Sequence, residues 1–159
     1  MKRKSTLKGA VSGIVALVML VALVLPAGCA PAAPTGVIKV GVAMCYAGPA
    51  GIYGQEATNG FEMAVNEINA AGGVLGRTIE FTTRDTKFDA ATAITVVKEL
   101  IMAEKVDIVV GGISSAAALA MSDYCRGEKV PYFVWSAQSS AITGEKGHRY
   151  VFQCVPNNI

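Results

Sequence analysis

Short runs of apolar, often β-branched residues recur along the chain and predict five β-strands. The run 37–44 is apolar almost throughout, as in a strand that is buried on both faces. The run 78–83 instead alternates between polar and apolar residues, as in a half-buried strand. The predicted strands are residues 37–44, 78–83, 106–110, 130–135 and 149–154.

The segment between the first two strands has apolar residues at helical spacing. Within 55–71, the residues Phe61, Ala64, Val65 and Ile68 recur three or four positions apart. The glycines that follow are expected to stop the helix. A loop containing Gly48, Pro49 and Gly51 is expected before it.

Two further helices are predicted between the later strands. Asp89 is the expected N-cap of the first, because a carboxylate can accept from the exposed N–H groups of the first turn. The other is expected to open at Ser114 or Ser115 and to run to about Arg126. The apolar face of the helix after Asp89 is predicted to hold Ile94, Val97, Leu100 and Ile101.

Strands that alternate with helices predict an α/β fold, a three-layer αβα lobe with a mostly parallel sheet. In such sheets, ligands bind beyond the carboxyl ends of the strands. This rule selects the loops 45–54, 111–115 and 136–140. The glycines of 72–76 precede a strand, so they do not match a dinucleotide fingerprint, which must follow one.

Residues 1–28 have the pattern of a secretory signal peptide, with a basic start, an apolar run and small residues before Cys29. An uncleaved membrane anchor is the alternative. Four of the 14 Lys and Arg but none of the 12 Asp and Glu fall in this segment, so the rest of the chain has a net charge of −2. The overall charge of +2 therefore does not indicate nucleic-acid binding. Residues 29–36 are rich in Pro and Ala and predict an extended tether.

Side chains that would support a metal site are scarce. His148 is the single histidine of the chain, and we expect it in a solvated stretch, 144–149. No motif has metal-ligand spacing or calls for a cofactor. Cys45, Cys125 and Cys154 are interpreted as buried free thiols, although an exported protein can also form disulfides.

The segment 112–116, Gly-Ile-Ser-Ser-Ala, supports two different hypotheses. It approximates the nucleophile elbow of an exported serine hydrolase using Ser114 or Ser115, but no credible triad accompanies it. A hydroxyl and free N–H groups at a helix N-terminus can instead bind a carboxylate. Simple helix capping by these serines is a third interpretation.

From Val37 onward, the chain resembles the substrate-binding proteins of branched-chain amino-acid ABC transporters, which have the type I periplasmic binding fold. The most characteristic stretch is Asn-Ala-Ala-Gly-Gly-Val-Leu-Gly at 69–76. The resemblance extends over the whole chain after the tether. Its other motifs lie at 38–42, 48–56, 60–65, 110–115, 130–131 and 136–137.

The resemblance implies roles for individual residues. Ser115, with Ser114 beside it, resembles the serine that binds the ligand carboxylate, and Ala137 the residue whose carbonyl accepts the ligand ammonium. Ser139, with Ser136 nearby, would offer a hydroxyl and an amide, and Tyr53 would line the first loop. Trp135 and Gln138 stand where many relatives have small residues. Cys29 follows a stretch that resembles the lipobox of bacterial lipoproteins, which implies lipidation.

The function implied by the resemblance is the capture of amino acids (branched-chain type), or of related small amides or acids, between two lobes and their delivery to an ABC permease. The protein would act outside the cytoplasm, held at the membrane by a lipid on Cys29. Residues 37–159 would then be the N-terminal lobe, truncated before the second lobe, and ligand binding should be weak or undetectable. A receptor ectodomain of the same fold is an alternative to the transporter component.

Overall fold

The computed structural model describes residues 36–158. The predicted signal peptide, Cys29 and the tether up to residue 35 lie outside the described residues. The described part contains five strands and three helices, which alternate up to the fourth strand, and the fifth strand follows without a helix. They are β1 (Val37–Met44), α1 (Gly51–Ala70), β2 (Thr78–Asp85), α2 (Ala90–Met102), β3 (Ile108–Gly111), α3 (Ser115–Glu128), β4 (Tyr132–Val134) and β5 (Val151–Gln153).

The five strands form one sheet in the order β2-β1-β3-β4-β5. All four neighbouring pairs are parallel, which confirms the predicted α/β class. β1 lies between β2 and β3, since Val40 of β1 pairs with both Phe81 of β2 and Ile108 of β3. The loops that follow all five strands therefore begin at the same edge of the sheet, which we call the carboxyl edge.

Helices cover both faces of the sheet, but unequally. One face packs on α2 and α3, with Val97, Leu100 and Met121 fully buried in its core. Within the described residues, the other face packs on α1 alone, through Ala57 and Phe61. On that second face, Phe133 of β4 and Phe152 of β5 stack with ring centroids 4.9 Å apart, and Phe152 remains 46% exposed.

α1 begins at Gly51, four residues before the predicted start, so assigning Gly51 to the loop was wrong. Glycine is a poor helix former, and its presence hid the first turn. Glycine is required in this turn because the turn lies directly against the end of β1. A Cβ on Gly54 would overlap the carbonyl oxygen of Cys45, the residue after β1. The predicted apolar face is also partly wrong, since Val65 is buried but Ile68 is 38% exposed.

The remaining elements differ from prediction mainly at their ends. The predicted N-cap Asp89 is confirmed, and its carboxylate accepts from the N–H of Thr92 at 2.7 Å. Ile94, predicted to share the buried face of α2, is 42% exposed, and Ala93 and Val96 are buried instead. β3, β4 and β5 are each shorter than the apolar runs that predicted them. Within residues 36–158, no helix is both long enough and apolar enough to cross a membrane.

Candidate functional site

The loops after β3 and β4 are joined by backbone hydrogen bonds at the carboxyl edge. The N–H groups of Ser136 and Ala137 both donate to the carbonyl oxygen of Gly112, at 3.1 and 3.0 Å. The N–H of Gly112 in turn donates to the carbonyl oxygen of Ala43 in β1, at 3.0 Å. The serines that follow β3 and β4 are therefore held in one hydrogen-bonded unit.

Gly112 adopts a backbone conformation that other residues rarely adopt. Its φ is +89°, and a Cβ there would overlap the hydroxyl of Tyr132. Tyr132 is fully buried beneath the loop, and its hydroxyl donates to the carbonyl oxygen of Gly111 at 3.3 Å. Burial raises the pKa of Tyr132, so this hydroxyl keeps its proton and remains a donor.

Ser114 is the N-cap of α3, as predicted. Its Oγ accepts from the N–H of Ala117 at 3.4 Å, and its carbonyl accepts the first helical bond, from Ala118, at 2.8 Å. The N–H groups of Ser115 and Ala116 precede that first bond, and no partner for them occurs among the described residues. These N–H groups lie at the positive end of the helix and could donate to an anion.

The hydroxyls near this helix end differ in how they are used. Those of Ser115 and Ser136 make no side-chain hydrogen bond within residues 36–158, and both residues are half-buried. Ser139 Oγ accepts from the N–H of Ala141 at 3.3 Å, which leaves its proton available to a ligand. The Ser139 backbone also bridges to Asn158, which brings the end of the chain beside this loop.

The Ala137 carbonyl, to which the resemblance assigns the ligand ammonium, already accepts a hydrogen bond. Its donor is Nε2 of Gln153, at 2.9 Å. Oε1 of Gln153 accepts from the hydroxyl of Thr143 at 3.3 Å. Gln153 was not among the predicted site residues, although it falls near the end of the predicted strand 149–154, at the edge where ligands bind.

Aromatic side chains also lie along the carboxyl edge. Tyr53 is in the first turn of α1 and is 62% exposed, and no side-chain hydrogen bond within the described residues joins it to the serines. Trp135 follows β4 and packs against Phe61 of α1, with ring centroids 5.2 Å apart. Phe88, which follows β2, has a φ of +58° and is 51% exposed. Phe88 follows the predicted strand 78–83, and this position was the signal in the sequence that could have placed it at the carboxyl edge.

The stretch 144–149 is exposed, as predicted, but His148 itself is half-buried within it. Its Nε2 lies 2.8 Å from Oγ of Ser122, which is buried in α3. Its Nδ1 accepts from the N–H of Tyr150 at 3.2 Å, so in the neutral ring Nε2 carries the proton. His148 is thus a donor to Ser122, and it is paired there rather than with Ser114 or Ser115.

Two of the three cysteines confirm the prediction of buried free thiols. Cys45 and Cys125 are buried and unbridged, but Cys154 is exposed, because β5 ends one residue before it. Burial raises the pKa of Cys125 to about 12, which keeps this thiol protonated and unreactive. Among the described residues, no group of three or more His, Cys, Asp or Glu is arranged to hold a metal ion.

Parallel strands with N–H and hydroxyl donors gathered at their carboxyl edge are suited to binding a small anionic molecule. A family model described as "Periplasmic binding protein" matches residues 37–158. The chain therefore belongs to the periplasmic binding proteins, a family of extracytoplasmic solute-binding proteins.

Individual relatives are similar over most of the described residues. Leu/Ile/Val-binding protein homolog 7 of Brucella abortus is 37% identical over 140 residues, which cover 88% of this chain and 34% of that protein. The branched-chain amino-acid substrate-binding protein LivJ of Streptococcus pneumoniae, solved with isoleucine, is 35% identical with a TM-score of 0.71, over 76% of this chain and 34% of LivJ.

A second kind of relative was solved with an aromatic acid. The ABC-transporter solute-binding protein RPA0985 of R. palustris, in complex with 4-hydroxybenzoate, is 33% identical with a TM-score of 0.65. The match covers 76% of this chain and 32% of that protein. The chain thus spans about a third of the length of the relatives that it matches.

Proposed function

We propose that residues 37–159 are the N-terminal lobe of an extracytoplasmic solute-binding component of an ABC importer. The ligand would be an amino acid or a related small amide or acid. The observation that carries the proposal is the joining of two loops through the Gly112 carbonyl, since it brings Ser136 beside the open end of α3. The unpartnered N–H groups of Ser115 and Ala116 would receive the ligand carboxylate there.

In this proposal the chain captures the solute without covalent chemistry. A second lobe would close over the ligand by a hinge motion and present it to the permease. The signal peptide 1–28 would export the protein, and a lipid on Cys29 with the tether 29–36 would hold it at the membrane. Residues 37–159 would form one side of the cleft, so we expect them to bind ligand weakly without the second lobe.

An NMR titration of the ¹⁵N-labelled chain with isoleucine and with 4-hydroxybenzoate would test the proposal. We expect saturable shifts of the Ser115 and Ala116 amide resonances at high ligand concentration. Ser115→Ala should weaken both titrations, because it removes a hydroxyl beside the anion. Ser140→Ala is the matched control, since Ser140 is an exposed serine of the neighbouring loop.

Two results would contradict this reasoning. Shifts that are unchanged in Ser115→Ala, or equally reduced in Ser140→Ala, would place the carboxylate elsewhere. Micromolar binding of either ligand would contradict the idea that the second lobe is needed for affinity.

We also propose that the chain has no hydrolase activity, since the single histidine donates to Ser122 instead of serving as a base for Ser114 or Ser115. A fluorophosphonate probe should therefore leave the chain unlabelled. Labelling that is lost in Ser115→Ala would instead support the serine-hydrolase alternative.

A further inference from the structure

The carboxamide of Gln153 joins two parts of the loop that follows β4. Nε2 donates to the carbonyl oxygen of Ala137, and Oε1 accepts from the hydroxyl of Thr143. A backbone carbonyl can only accept, so the nitrogen and not the oxygen of the carboxamide must face Ala137. The two contacts together fix the side chain with its donor toward the candidate site.

Hydrogen-bond acceptors in these loops are mostly already in use. The Gly112 carbonyl accepts from two N–H groups, and the carbonyls of Gln138 and Ser139 accept from the N–H groups of Asn158 and Ile142. The Ala137 carbonyl accepts from Gln153. Neither 111–122 nor 129–144 contains an Asp or Glu.

Hydrogen-bond donors, by contrast, remain available at the same place. They are the N–H groups of Ser115 and Ala116 and the hydroxyls of Ser115 and Ser136. A ligand carboxylate would find several donors, whereas a ligand ammonium has three protons to place and would find the Ala137 carbonyl already accepting from Gln153. An ammonium that loses water without gaining acceptors is strongly disfavoured.

We propose that Gln153 is a specificity-determining residue that favours carboxylates lacking an α-ammonium group, such as deaminated aliphatic acids or aromatic acids, over the corresponding amino acids. This inference rests on the proposed function, because it concerns the same site. An ammonium approaching the Ala137 carbonyl meets the partial positive charge of the Gln153 amide at that oxygen. The side chain thus makes the one acceptor assigned to the ammonium a poorer one.

Matched ligand pairs isolate the contribution of the ammonium group. Leucine and 4-methylpentanoate differ by that group alone, as do phenylalanine and 3-phenylpropanoate. We would titrate each ligand into the ¹⁵N-labelled chain, follow the Ser115 amide resonance, and take the ratio of the two affinities within each pair. A role of Gln153 in loop structure alone would change both affinities together and leave that ratio unchanged.

Three variants separate the possible causes of a change in the ratio. Gln153→Glu replaces the donor with an anionic acceptor, and Gln153→Met removes the donor at nearly constant length. Asn157→Asp is the control for added charge, because Asn157 is exposed outside the candidate loops and makes no side-chain hydrogen bond in the described residues. The amide spectrum of each variant reports whether its fold is retained, and Gln153→Met still tests the proposal if Gln153→Glu does not fold.

We expect the unaltered chain to bind the deaminated member of each pair more tightly. Gln153→Glu should shift the ratio about tenfold toward the amino acid, as for one charge-assisted hydrogen bond gained. Gln153→Met should shift it less but in the same direction, and Asn157→Asp should leave it nearly unchanged.

The inference is overturned if the unaltered chain prefers the amino acids, if Gln153→Met leaves the ratio unchanged, or if Asn157→Asp shifts it as much as Gln153→Glu does. These outcomes would leave the proposed function standing. Failure of both members of both pairs to bind would instead contradict the proposed function, and this inference with it.

Discussion

Replacing Gly112 with Ala tests whether the loop after β3 depends on its unusual backbone. A residue with a Cβ in the left-handed region costs about 1–2 kcal/mol. Here the new methyl group would also overlap the hydroxyl of Tyr132, which is buried and cannot easily move. Overpacking of this kind costs about 1–3 kcal/mol. The two contributions predict a loss of about 2–5 kcal/mol, out of a typical stability of about 5–15 kcal/mol.

Urea unfolding followed by circular dichroism would measure this loss. The Tyr132→Phe background separates the two contributions, since it removes the atom that the methyl group overlaps. In that background, Gly112→Ala should cost only the backbone part, about 1–2 kcal/mol. Gly127→Ala is the control: Gly127 lies in α3 with no atom within 4 Å of a new Cβ, and this change should stabilise the chain by about 0.5–1 kcal/mol.

The reasoning is refuted if the free energy of unfolding of Gly112→Ala lies within about 0.5 kcal/mol of that of the unaltered chain, as expected for an ordinary surface substitution. An equal loss with and without the Tyr132 hydroxyl would refute the packing part alone. The outcome also concerns the candidate site, because the Gly112 carbonyl joins its two loops.

Three further predictions concern features outside the site. Hydrogen bonds from Thr92 lower the pKa of Asp89. The stabilising effect of the Asp89 carboxylate is therefore present above the ordinary carboxyl pKa and is lost as the pH falls through the lowered pKa. The urea midpoint of Asp89→Asn should accordingly change less in acid than that of the unaltered chain. A thiol reagent should rapidly modify Cys154 in the folded chain, so the number of fast-reacting thiols should fall by one in Cys154→Ser. Cys125 should react only on unfolding, and its rapid modification would contradict its burial. His148→Ala should cost about 1–3 kcal/mol in urea unfolding, because it leaves the buried Ser122 hydroxyl without its partner. In a Ser122→Ala background the same change should cost much less, and an equal loss there would show that the hydroxyl is not the reason.

The alternation of elements could be predicted from the sequence because hydrophobic period is a local property of the chain. β1 was predicted to the residue, since its apolar run coincides with the buried centre of the sheet. The first turn of α1 could not be predicted, because the reason for Gly54 is the nearby carbonyl of Cys45, a tertiary contact. Helix propensity alone predicts that such a glycine disfavours a helix.

Only part of the candidate site could be predicted from the sequence, because some of its contacts are tertiary. The N-cap at Ser114 has a local sequence signature, and the placement of loops at one edge follows from the parallel sheet. The contact of Gln153 with the Ala137 carbonyl has no local signature, since it joins residues 16 positions apart. The partner of His148 is 26 positions away and is likewise set by packing.

The unequal helical cover of the sheet has a practical consequence for work with this chain. The Phe133–Phe152 stack leaves aromatic surface open to solvent in the folded state. A dye such as ANS, whose fluorescence rises on exposed apolar surface, should therefore be bright with the native chain and is not a measure of unfolding here. The same surface favours self-association as concentration rises. Samples for the NMR titrations should accordingly be checked for their dispersity at the working concentration.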